Sequence, residues 1–276
     1  MNAAVRSFLF VPGDRPERFP KAWSSGADAV ILDLEDGVSG DRKSFAREAV
    51  SAWLSTEHPV YVRVNGSRTE WFAADLAVAA RPGVRGVMLP KVETPGQVEA
   101  VARALPGSVG VVPLLETVSG IIDARELARA PRVERLAFGS VDFQLDAGIQ
   151  GDGDELLYAR SRMVLASRAA GLFPPVDGVT TDLDNPERLA ADVDRARRLG
   201  FGGKLCVHPR QVASVNRGFL PTEREIAWAH KVIEAARNAE AGAIRLDGEL
   251  VDRPVVQRAE AILERAQRQQ GGEGVQ

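Results

Sequence analysis

Eight short runs dense in Val, Ile and Leu, amphipathic segments between them, and a length of 276 residues predict an α/β protein. The expected form is a (β/α)8 TIM barrel over residues 1–220 followed by a C-terminal helical extension over 221–276. The runs are SFLFVP at 7–12, AVILDLE at 29–35, VYVRVN at 60–65, GVMLPK at 86–91, VGVVPLLE at 109–116, RLAFGS at 135–140, PVDGV at 175–179 and GKLCVHP at 203–209. Most suit strands buried on both faces, as in parallel sheets, and PVDGV is the weakest. Between them, 41–54 sets Phe45, Ala49, Ala52 and Trp53 on one helical stripe with charges opposite. The segment 94–105 opens with a Thr cap and a first-turn Pro, and 185–200 has Asn at its cap, Pro behind it and a closing Gly. Such alternation builds right-handed βαβ units. Eight units favour closure, although periodicity alone leaves an open doubly wound sheet as the alternative.

Beyond the eighth run, helical patterns at 222–241 and 253–269 are joined by AGAIRLDGELVDRP, which reads as a hairpin or extended loop with Asp-Gly at its turn. A barrel does not need this extension, which implies another job for it. The polar, Gly-rich tail QRQQGGEGVQ is expected to fray.

Composition removes several classes of function. A formal net charge of −3 argues against a general nucleic-acid binder. The single Cys206 forms no intrachain disulfide, which excludes a disulfide scaffold. No apolar run reaches the ~18–20 residues of a membrane span, and the N-terminus lacks a signal-peptide layout. A soluble, cytoplasmic protein is expected, with neither nucleic acid nor membrane as partner.

Active sites of barrels lie at the C-terminal ends of the strands. Reading those ends collects Asp33, Glu35, Asp36, Arg63, Asn65, Lys91, Glu116, Ser140, Asp142, Asp177 and His208. Some of these are expected only to cap helices or pair with one another, but desolvation disfavours retaining so many without use. Glu116 and Asp142 are placed at the ends of successive strands, ~5 Å apart, where two carboxylates can share Mg²⁺ or Mn²⁺. His58, His208 and His230 are dispersed and, with one cysteine, complete no zinc set. Arg63, among β-branched neighbours, must reach a carboxylate, either a protein one such as Glu35 or one on a substrate. Lys91 offers a Schiff-base amine for metal-free chemistry, a weaker reading beside an acidic pair. Glu35 and Asp36 are placed to orient metal-bound waters and Arg63, with turn capping before Gly37 as the competing role for Asp36.

Taken in order, LFVPGDRPERF, ILDLEDGV, VRVNG, MLPKVE, LLETVSGI, AFGSVDF and GKLCVHPRQV resemble the citrate lyase beta-subunit-like proteins of the HpcH/HpaI aldolase superfamily, which include malyl-CoA and citramalyl-CoA lyases. The resemblance spans roughly residues 5–265 and implies Mg²⁺ on Glu116 and Asp142, with Arg63 and Glu116 bordering the substrate. It further implies coenzyme A contacts from Phe10, Arg15 and Lys21. Asp252, in ELVDRP, is implied as an acid–base residue reaching the active site of a neighbouring copy in a homotrimer or a multiple of three. The implied reaction is reversible cleavage of a 3-hydroxyacyl-CoA thioester to an acetyl-type CoA thioester and a 2-oxo acid. Alternatives are a CoA-independent class II aldolase, a malate synthase-like thioesterase, and a non-catalytic subunit that binds CoA or an acyl carrier.

Overall fold

The structure is a computed structural model that describes residues 5–238 and 244–272. The chain divides after Phe219 into two compact units. In the first, β1 (Ser7–Pro12), β2 (Ala29–Asp33), β3 (Val60–Arg63), β4 (Val84–Leu89), β5 (Gly110–Leu115), β6 (Ala137–Phe138), β7 (Val176–Asp177) and β8 (Gly203–Cys206) form a closed barrel. Neighbouring strands are parallel, and β8 returns to pair with β1. Every predicted run contains a strand, but most strands stop one to three residues short at the C-terminal end. The second run, for example, leaves the sheet at Asp33. Its carboxylate accepts the N–H groups of Glu35 and Gly37, both at 2.9 Å, and so turns the chain out of the ladder.

Alternation along the strands assigns each side chain to a layer. Phe8, Ile31, Tyr61, Met88, Leu114 and Leu205 fill the barrel, while Leu9, Leu32, Val62, Val87, Leu115 and Cys206 pack against the helices. Register links these positions across the sheet, with Ile31 beside Tyr61 and Arg63 beside Met88.

The helix Lys43–Trp53 corrects the expected stripe. Its buried residues are Lys43, Ala46 and Val50, and Phe45 is 43% exposed. The apolar count favoured Phe45; the fold instead buries an ammonium that finds three acceptors, described below. The caps were read correctly: Asn185 Oδ1 accepts the Arg188 N–H at 2.9 Å, and Gly200 closes helix Pro186–Leu199 at φ +103°.

The second unit holds helices Glu223–Arg237 and Arg253–Gly272 and the antiparallel hairpin β9 (Ile244–Leu246) and β10 (Glu249–Val251). Asp247 and Gly248 have φ of +50° and +89°, the left-handed pair of a tight hairpin turn. Ala229, Val232, Val251 and Ala259 form its core. The tail expected to fray from Gln267 is helical as far as Gly272, and residues 273–276 and 239–243 lie outside the described residues. Among the described residues no helix is long and apolar enough to cross a membrane.

Candidate active site

Strand parity aims the polar residues. Ile31 and Tyr61 face the barrel interior, so Asp33 and Arg63, two residues further on, face its mouth and are register partners. Arg63 closes a fork on Asp33, with Nε to Oδ1 at 2.7 Å and Nη2 to Oδ2 at 2.6 Å. Its Nη1 lies 3.0 Å from Glu35 Oε2, and the guanidinium sits 4.7 Å over the Phe10 ring. Burial opposes the Arg63 charge, but Asp33 and Glu35 outweigh it and hold the guanidinium firmly protonated. Of the partners expected for Arg63, the structure shows protein carboxylates. Glu35 is one protein partner, and the bidentate one is Asp33, which the sequence reading collected without assigning a role. Two of the five guanidinium N–H groups donate, both to Asp33, while Nη1 meets Glu35 Oε2 as an ion pair only.

Glu35 is 4% exposed, with Lys91 Nζ 2.5 Å from Oε1. Burial raises its carboxyl above the usual range against the pull of Arg63 and Lys91. Lys91 also lies 3.3 Å from Asp36 Oδ2. Burial favours the neutral amine of Lys91, yet the hydrogen bond and charge of Glu35, then Asp36 and Glu116, hold the ammonium well above its ordinary range. A Schiff-base lysine needs the opposite shift. The Lys91 main-chain N–H, at φ +51°, donates to Glu116 Oε1 at 2.7 Å.

Glu116 follows Leu114 by two residues and therefore enters the mouth. It is 2% exposed, and its carboxyl is pushed up to about 8 by burial, then by the charges of Asp142 and Glu35. Asp142 does not end a strand. β6 stops at Phe138, and Asp142 lies in the first turn of helix Ser140–Ala147, where the helix dipole favours an anion. The two acids are nevertheless within electrostatic reach. Gly139 makes room for them, because a Cβ there would collide with the Glu116 side chain.

Two oxygen-bearing acids, one of them resisting ionisation through burial and then through the charge of its neighbours, suit a hard dication, which would offset both. Among the described residues no three His, Cys, Asp or Glu side chains gather into a metal cluster, so further ligands must be water or substrate oxygens. Glu116 and Asp142 therefore fit Mg²⁺ or Mn²⁺.

The other foreseen residues fall into different places. Phe10 is half-buried beneath Arg63, while Arg15 and Lys21 are exposed. Lys21 and Arg210 lie close enough to His208 that, after burial, their charges depress the imidazole. His208 Nδ1 caps helix Pro209–Gly218 by accepting the Arg210 N–H at 3.1 Å. Asp177 is structural: it faces the helices, 2.9 Å from Arg160 and 3.7 Å from Lys204. In the second unit, Asp252 is an N-cap, its Oδ1 accepting the Val255 N–H at 3.3 Å.

Sequence reasoning missed Lys43. Its Nζ donates to Leu34 O, Glu35 O and Asn65 Oδ1 at 2.7–2.8 Å, fastening the exits of β2 and β3 from behind. The signal was present, as Lys43 stands three and seven residues before Ala46 and Val50 on the buried stripe.

A family model described as HpcH/HpaI aldolase/citrate lyase matches residues 6–209. A citrate lyase subunit beta-like protein of Deinococcus radiodurans is 37% identical over 95% of this chain and 97% of its own length. A (3S)-malyl-CoA thioesterase of Cereibacter sphaeroides is 35% identical over 93% and 95% respectively. The crystal structure of CitE from Mycobacterium tuberculosis, in complex with magnesium, acetoacetate and coenzyme A, matches with a TM-score of 0.87 at 36% identity, covering 96% of this chain and 99% of that one.

Proposed function

The chain belongs to the HpcH/HpaI aldolase/citrate lyase family and is an enzyme of the lyase type, and from that premise we propose a Mg²⁺-dependent carbon–carbon lyase acting on a 3-hydroxyacyl-CoA thioester. The products are an acetyl-type CoA thioester and a 2-oxo acid. The observation that carries this reading is the meeting of an Asp33-anchored Arg63 with the Glu116–Asp142 pair in one barrel mouth. The relative crystallised with magnesium, acetoacetate and coenzyme A supports the ligand classes.

In this reading Glu116 and Asp142 hold the cation, which supplies Lewis-acid polarisation of the oxo-acid oxygens. Arg63, its rotamer locked by Asp33, offers its remaining N–H groups to the oxygen that gains charge, an effect of ~3–4 kcal/mol for a preorganised donor. Glu35 is committed to Arg63 and Lys91, so the more exposed Asp36 is the acid that orients nearby water. As the carbon–carbon bond breaks, the substrate hydroxyl gives its proton to the water oriented by Asp36 and becomes the oxo-acid carbonyl, the bonding pair passing to the thioester enolate. The departing thioester enolate takes a proton from Asp252 of a neighbouring copy, or returns it in the condensing direction. Arg15 and Lys21 supply charge for the CoA phosphates, and Phe10 an aromatic face for the CoA arm or the bound acid.

Assembly of identical copies is part of this reading. Leu145 is 83% exposed, Leu165 70%, Tyr158 68% and Ile122 53%, on helices Ser140–Ala147, Leu157–Ala169 and Val118–Ile122 of the barrel unit. These exposed apolar side chains lie on helices that pack against one another and are candidates for cover by a second copy. Light scattering of Leu145→Glu with Leu165→Glu should show smaller particles than the wild type; unchanged mass would remove this face from the assembly.

The deciding experiment incubates a panel of CoA thioesters, with Mg²⁺ and with EDTA, and follows free 2-oxo acid. Cleavage that survives EDTA, or no cleavage of any thioester, would refute the proposal. The thioesterase relative favours one second reading, hydrolysis of the same thioester, in which a hydroxy acid and free CoA accumulate instead.

A further inference from the structure

We infer that Lys91 and Gly139 are positioning residues that set the Glu116 carboxylate for its cation through the main chain, an inference that rests on the proposed function. A buried glutamate reaching a barrel mouth has several rotamers open to it. Two features of the neighbouring strand exits remove that choice.

On the β4 side, Lys91 occupies the left-handed region at φ +51°, which L side chains rarely adopt. The other non-glycine residues of positive φ among the described residues have local uses. Asp247 makes the hairpin turn, and the Arg132 guanidinium donates to the carbonyls of Leu105 and Pro106 at 2.8 Å. At Lys91 the unusual backbone points the N–H at Glu116 Oε1, 2.7 Å away. The lysine side chain turns elsewhere, to Glu35 and Asp36. The hydrogen bond to Glu116 therefore comes from the backbone, and the ammonium acts on Glu116 only through its charge.

On the β6 side, Gly139 has φ −86°, a conformation open to any residue, so its own backbone does not require glycine. Glu116 does: a Cβ at 139 would lie 2.5 Å from Oε2 and closer still to the Glu116 Cβ. One oxygen is thus held by a donated hydrogen bond while the other lies against a surface that only glycine leaves clear. Asp142, three residues after Gly139, begins its helix from the same point, so one glycine sets the spacing of both acids.

The test uses the purified full chain and Mn²⁺ as the probe, with bound and free ion resolved by electron paramagnetic resonance in the absence of substrate. Lys91→Met and Lys91→Gly both lack the ammonium and keep a backbone that can stay left-handed. Lys91→Val lacks the ammonium too, but β-branching expels it from that region. Lys91→Val should therefore bind Mn²⁺ about tenfold or more weakly than Lys91→Met, and Lys91→Gly should match Lys91→Met within about threefold. Gly139→Ala should weaken Mn²⁺ by about tenfold or more relative to wild type, with circular dichroism reporting that it remains folded. Gly139→Ala carries the test alone if Lys91→Val does not fold. Equal affinity in all folded variants overturns the clamp while leaving the lyase reading intact. A wild type that binds no Mn²⁺ overturns both.

Discussion

Arg63 and Asp33 stand side by side on adjacent parallel strands, joined by two hydrogen bonds of 2.7 and 2.6 Å, so the cation that faces the mouth is aimed by an acid that cannot itself be reached. Asp33 is 2% exposed and also closes the turn through Glu35 and Gly37. The fork is geometric as well as electrostatic. Arg63→Lys keeps the charge and loses the paired contact, and kcat/KM should fall about 100-fold or more in steady-state assays, with little change in Mn²⁺ affinity.

Glu116 makes the metal-free protein sensitive to pH. Its folded carboxyl, at about 8, lies above the ordinary value of 4.5, so between these values the folded state holds a proton that the unfolded state has released. Stability should fall as pH rises through that window and level off above it. Thermal unfolding in EDTA should show this slope for the wild type. Glu116→Gln should flatten it and be the more stable of the two near pH 8. At pH 7 the wild type should also release a proton on binding Mg²⁺, read by calorimetry in buffers of different ionisation enthalpy.

Lys43 tests the support behind the site. Lys43→Met leaves the carbonyls of Leu34 and Glu35 and the Asn65 oxygen without this donor, and urea unfolding should report a loss of ~3 kcal/mol. A change below ~1 kcal/mol would show that the exits of β2 and β3 are fastened elsewhere.

Asp252→Asn separates chemistry from folding. Asparagine caps a helix as well as aspartate, so the melting temperature should hold while turnover is lost and Mn²⁺ affinity is kept. Retained turnover would confine Asp252 to its cap.

Arg15→Ala and Lys21→Ala should each raise KM for a CoA thioester about tenfold, with a weaker salt dependence than the wild type and little change in kcat.

The barrel was legible because eight apolar runs and their intervening amphipathic segments report burial, and burial is a property of residue type and period. Cap chemistry was legible for the same local reason, as at Asn185 and the Asp247–Gly248 turn. The stripe of the helix Lys43–Trp53 was misread because a lysine is apolar in effect only once its three acceptors are assembled by two other strands. Asp142 was read as a strand end because the apolar run continues to Ser140, whereas β6 stops at Phe138 and a helix begins at Ser140.

The order of residues along the chain determined the closed α/β architecture, the strand exits that carry acids and cations, and the identity of Glu116, Asp142 and Arg63 as the groups to watch. Tertiary structure alone decided that Asp33 rather than a distant acid anchors Arg63, that Lys91 holds Glu116 by its backbone, and that Asp177 turns away to Arg160. The reason is range. Period and propensity act over a few neighbouring residues, whereas these partners lie on different strands or helices and meet only when the sheet closes and its register assigns each side chain to one face.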